Sequence, residues 1–189
     1  MITAADFNRI RALLGQQAEE DITWADLCEP PVNAEQFALE IIYVICNSGM
    51  KNTIARAIFE RVKAAISEGR SASEVFGHKG KAAAIDRIWR NQELLYFDYF
   101  CADDKLAYLE ALPWIGPITK YHAAKNFGVD VAKPDRHLVR LADREGCTPQ
   151  QLCERLAIET GLCINAVDVV LWRACANGII NSRTGAIAQ

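Results

Sequence analysis

Residues 112–137 read LPWIGPITKYHAAKNFGVDVAKPDRH, and the reading of this stretch decides the fold. Pro113 presets a turn and Gly116 takes backbone conformations that other residues resist, so residues 112–117 read as a tight hairpin. The residues on either side, 103–111 and 118–125, read as helix. Helix, short hairpin, helix is a backbone device that aims free N–H groups and the positive end of a helix dipole at a phosphate. Behind it, Lys133-Pro134-Asp135-Arg136-His137 sets a carboxylate just after a proline, where the next helix begins. By residue type alone, an Asp in that place is a helix N-cap.

The rest of the chain reads as further helices. Thr3 is placed to cap a helix carrying Phe7, Ile10, Leu13 and Leu14, which Gly15 ends. A polar run follows, then a short helical segment over residues 21–28, before Pro30-Pro31 breaks the chain. Asn33 with Gln36 has the spacing of a capping box, and Phe37, Ile41, Val44 and Ile45 form an apolar stripe leading to Asn47-Ser48-Gly49. Residues 52–66 are amphipathic, Ser71 with Glu74 is another capping box, and Gly77-His78-Lys79-Gly80-Lys81 is a basic loop that opens a further helix. The aromatic run at 94–100, with Tyr96, Phe97 and Tyr99, reads as core packing. After Asp135 come a helix with Leu138, Val139 and Leu141, a capped helix from Thr148-Pro149 to Gly161, and a last helix over 165–176. The polar tail beyond it is expected to fray. No trustworthy strand alternation is present, so the expected class is all-α.

Half of the 189 residues are apolar, enough for a sizeable core, and no long apolar run or charged-then-apolar leader is present. A cytoplasmic monomer with no membrane partner is expected. The seven cysteines form no CxxC pair, which argues for reduced thiols rather than a metal site. The formal charge of −3 counts against blanket attraction to nucleic acid. Locally the balance reverses: residues 112–141 hold Lys120, Lys125, Lys133, Arg136 and Arg140 against Asp130 and Asp135.

These motifs resemble the helix-hairpin-helix DNA glycosylase superfamily, whose pattern is Leu-Pro-Gly-x-Gly, a helix, Phe-Gly, and a loop with a catalytic aspartate. Leu112, Pro113, Gly116, Phe127, Gly128 and Asp135 fall in place, and the chain departs at Trp114, where the family has the first hairpin glycine. The resemblance implies two helical lobes, one over residues 31–128 with the hairpin, the other from 1–30 plus 129–189, with an active-site cleft between them. It implies a monovalent-cation site at the hairpin. It implies no iron–sulfur cluster, because the cysteines from Cys147 through Cys153 and Cys163 to Cys175 are too widely spaced for the one that some members hold. The lyase members carry a nucleophilic lysine two positions beyond the second hairpin glycine, and that position is Ile118 here.

The expected activity is therefore a monofunctional DNA glycosylase of base excision repair that flips a modified or mismatched base out of double-stranded DNA, with Asp135 as catalytic carboxylate. Asn47, Tyr121, His122 and Trp114 are candidates for base pocket or wedge. Gly116, Ile118, Lys120, Lys125 and Lys133 are candidates for contacting phosphate. Two alternatives stand beside this: a non-catalytic DNA-binding module built on the hairpin, and a bifunctional glycosylase/lyase that uses Lys120.

Overall fold

The computed structural model describes residues 1–188, and among these it is all-helical, with eleven α-helices and a three-residue 3-10 turn. The chain divides into two compact units, one from Met1–Glu29 with Lys125 onward and the other Pro30–Ala124. The second crossing falls inside a helix, α8 (Thr119–Asn126), between Ala124 and Lys125. No helix among the described residues is long and apolar enough to cross a membrane.

In the discontinuous unit, α11 (Ile164–Ala176) is the central element. Its Val167, Val170, Leu171 and Ala174 are fully buried in one cluster with Phe7 and Ile10 of α1 (Ala4–Leu14), Leu138 of α9 (Arg136–Glu145), and Leu152 and Leu156 of α10 (Pro149–Thr160). Each side chain of this size removed from water contributes roughly 1.5–3 kcal/mol, so this cluster holds the unit together. The capping boxes at Thr3 and Thr148 form, and Gly15 and Gly161 end their helices with positive φ.

Two sequence expectations for this unit are corrected. The polar run after Gly15 is helical throughout, as α2 (Gln16–Asp26), because Ala18, Ile22 and Ala25 recur on one buried face. Asp21 joins that face through two 2.8 Å bonds from the Arg173 guanidinium of α11, a bidentate pairing. The tail does not fray: Ile180 is 1 % exposed and bridges to Ile187, and the N–H of Ala188 donates to the carbonyl of Ile179.

In the continuous unit, α3 (Ala34–Asn47) is apolar nearly all round, and Phe37, Ile41, Ile42, Val44 and Ile45 are fully buried, as befits a helix with neighbours on several sides. It packs against α4 (Asn52–Ser67), α5 (Lys79–Arg90) and α6 (Gln92–Cys101). The box at Ser71 and Glu74 forms, but it opens only the 3-10 turn. The aromatic run divides. Tyr96 and Tyr99 lie 6.2 and 5.3 Å from the Phe37 ring, whereas Leu94, Phe97 and Phe100 face solvent, so core packing accounts for half of it. Lys105, which opens α7 (Lys105–Ala111), donates to the carbonyls of Tyr99, Phe100 and Ala102 at 2.7–2.8 Å and so closes the end of α6.

Candidate active site

The loop from α8 to α9 is fastened nearly residue by residue. Gly128 has φ +73°, and a Cβ there would stand 2.6 Å from the carbonyl oxygen of Cys28, so glycine is required twice over. Asp130 accepts from the N–H of Asn165 at the start of α11, Gln150 of α10 accepts from the N–H of Ala132, and Asp168 of α11 accepts from the N–H of Lys133. Gly128→Ala is expected to destabilise the protein by at least the roughly 1–3 kcal/mol of a left-handed non-glycine residue, read as a lowered urea midpoint. An unchanged midpoint would mean that the approach to Cys28 relaxes freely.

This fastening delivers Asp135. Its Oδ1 accepts from the N–H groups of His137 and Leu138 at 2.7 and 3.1 Å, which makes it the N-cap of α9. Its Oδ2 makes no hydrogen bond or ion pair among the described residues, and the side chain is partly exposed. The capping role and an available carboxylate oxygen thus coexist in one residue. His137 turns its Nδ1 to Ser182 Oγ at 3.1 Å.

The lysines separate by partner. Lys125 does not reach a phosphate as expected: its side chain is 8 % exposed and its ammonium meets Asp168 at 2.5 Å. Burial pushes the Asp168 carboxyl up from its usual range, and Lys125 draws it back. Lys120 pairs with Glu110 and lies over the Tyr121 ring, and its hydrogen bond to Glu110 raises its pKa. The local positive balance is smaller than the count of bases implies, because two of the five are neutralised. Among the described residues the Lys133 ammonium makes no hydrogen bond or ion pair.

In the other unit, the N–H of Ile115 donates to the carbonyl of Leu112, closing a turn with Pro113 and Trp114 at its centre. Such a turn asks for positive φ at its third residue, usually glycine, and Trp114 takes it at φ 63°. Two neighbours hold the indole: His78 stands edge-on at 5.0 Å, and Gly80 leaves the space where a Cβ would lie 2.6 Å from the ring. The N–H of Gly116 is taken by Thr119 Oγ1 at 2.7 Å, leaving those of Ile118 and Thr119 without an acceptor among the described residues. Ile118 is 43 % exposed.

Asn47 donates to Tyr43 and Asn52, and the Tyr43 ring meets Phe59 and His122 edge-on at 5.4 and 6.1 Å. Tyr43 and Asn52 were not singled out as site residues from sequence, and Tyr43 lies outside the apolar stripe of Phe37, Ile41, Val44 and Ile45. Lys81 is 4 % exposed and donates to the Ser48 carbonyl at 2.6 Å, fixing the chain after α3. Burial lowers its pKa.

No protein-family model and no curated protein matches this chain. Its fold is similar to that of solved structures. The 8-oxoguanine DNA glycosylase of Thermotoga maritima aligns with a TM-score of 0.66 at 14% identity, covering 98% of each chain. The Methanocaldococcus jannaschii 8-oxoguanine DNA glycosylase aligns at 0.64 and 14%, covering 97% of this chain and 95% of its own. An 8-oxoguanine glycosylase/lyase of the same organism, in complex with a 15mer DNA containing 8-oxoguanine, aligns at 0.63 and 15%, covering 97% of this chain and 99% of its own. The chain has the all-helical fold of these glycosylases along nearly its whole length.

Proposed function

We propose that this protein is a DNA N-glycosylase that hydrolyses the bond between deoxyribose and a base drawn out of the duplex. The observation that carries the reading is the divided carboxylate of Asp135, one oxygen holding a helix and the other unengaged, on a loop whose N–H groups are tied down by α10 and α11. As the glycosidic bond breaks, its electron pair leaves with the base and positive charge grows on the sugar. Oδ2 stabilises that charge and accepts a proton from the water that attacks C1′. Ile118 in place of the lyase lysine favours water as the attacking group in this step.

Incubation with duplexes carrying single oxidised, alkylated, deaminated or mismatched bases, with chromatography of released free base, tests this directly. 8-oxoguanine heads the panel because the structural neighbours carry it in their names. Free base from at least one duplex is expected, and none from a properly bound panel would leave a binding module. The free N–H groups of Ile118 and Thr119 serve phosphate in this reading. Gly116 has room for a side chain, with Thr119 Oγ1 the nearest atom to an added Cβ at 3.8 Å. Gly116→Arg is therefore expected to fold and yet bind duplex at least about tenfold more weakly despite its added charge, by blocking backbone approach. Tighter binding by the folded variant would remove the hairpin from the interface.

A further inference from the structure

The solvent-facing half of the aromatic run is not scattered. Leu94, Phe97 and Cys101 recur at helical spacing on one face of α6, and Phe100 stands one turn on from Phe97. Leu94, Phe97 and Phe100 are 61, 64 and 74 % exposed. The opposite face is filled, because Tyr96 and Tyr99 turn onto Phe37 and Tyr99 also meets the Tyr108 ring of α7 at 6.0 Å. A single exposed Leu or Phe is ordinary, but large apolar side chains left in water side by side mark a surface that another body covers.

The charges around this face decide among occupants. Exposed acids border it, Glu93, Asp98, Asp103 and Asp104, so DNA phosphates and anionic lipid headgroups are repelled. Exposed bases stand at its start, Arg87 and Arg90 in the last turn of α5, and neither side chain makes a hydrogen bond or ion pair among the described residues. The surface thus runs from basic through apolar to acidic, which makes it complementary to its own reverse. Arg90 and Asp104 each lie seven positions from Phe97, and Leu94 and Phe100 each lie three. A twofold axis at Phe97 sets Leu94 of one copy against Phe100 of the other, and the arginine end of each copy against the aspartate end of its mate. Parallel pairing would stack like charges at both ends, and an unrelated basic partner would gain nothing from Arg87 and Arg90.

We propose that this face of α6 is an antiparallel, twofold interface between two copies of the chain, in place of the monomer expected from the sequence. A single pair of short helices makes a small interface, so the association is weak, with Kd in the micromolar range. Its apolar centre supplies the affinity, and its charged ends set the orientation. None of its residues belongs to the candidate active site, so the interface stands or falls apart from the glycosylase reading.

Sedimentation equilibrium of the full chain, with reductant and at low salt, is expected to show monomer and dimer in a concentration-dependent mixture that added salt shifts toward monomer. Phe97→Glu sets two carboxylates against each other at the axis and is expected to weaken the dimer at least about tenfold, with an unchanged urea midpoint at dilutions where both proteins are monomers. Arg90→Glu is expected to weaken it too, and Arg90→Glu/Asp103→Arg, which exchanges the charges of the two ends, to restore it. Cys101, the exposed thiol of this face, is expected to react with iodoacetamide more slowly as wild-type concentration rises, but not in Phe97→Glu. A monomer at every concentration, a dimer undiminished by Phe97→Glu or Arg90→Glu, or a charge exchange that restores nothing overturns the proposal. So does a dimer that forms only without reductant, which would be a Cys101 disulfide.

Discussion

Asp135→Asn is expected to bind duplex DNA as wild type does and to release free base at least about a hundredfold more slowly, the scale for losing one electrostatic catalyst. The substitution separates the two roles of the residue. Asparagine is as good an N-cap as aspartate, and its Oδ1 can still accept from the N–H groups of His137 and Leu138, so α9 keeps its first turn. What it lacks is the charge on the second oxygen, the one that no other described residue engages. Base release under single-turnover conditions, alongside the urea midpoint of the variant, reads the two consequences independently. Full activity in a stable Asp135→Asn protein would return the residue to capping alone.

The largest loss of stability is expected at Asp168, which none of the sequence motifs includes. Its carboxylate is 2 % exposed and serves two groups at once, the Lys125 ammonium and the N–H of Lys133. Asp168→Ala leaves the buried ammonium without its counter-ion and the loop N–H without its acceptor, and removing one partner of a buried pair costs about 3–5 kcal/mol. Urea unfolding is the measurement. The double variant Lys125→Met/Asp168→Leu, which removes both charges, is expected to recover part of that loss, because the uncompensated ion is the main penalty. A double variant as unstable as Asp168→Ala would place the cost in the loop N–H instead.

The helices and their ends were legible because their causes are local. A threonine cap, a glutamine three residues on, an apolar stripe at helical spacing and a glycine at the stop act within one or two turns, so the elements opened by Thr3, Asn33 and Thr148 read directly from the chain. The hairpin and the aspartate behind its proline read the same way, as did the all-helical class. α2 was only half legible, since its buried face is set by α11 and by the Asp21–Arg173 pairing across the chain.

Within the site, type and position were in the sequence, but environment was not. Lys120, Lys125 and Lys133 look alike as three bases in fourteen residues, and tertiary structure makes them an ion-paired cation, a buried structural one and a partly buried amine without a hydrogen-bond or ion-pair partner among the described residues. Asp168, forty-three positions beyond Lys125, decides that division, and no local pattern marks it. Trp114 shows the same limit from the other side. The sequence displays a bulky residue where a turn wants glycine, and only the packed structure supplies the reason it fits, the space over Gly80 and the edge of His78. Backbone preference is a property of a few neighbouring residues, whereas burial and pairing belong to faces that meet only after the chain has folded.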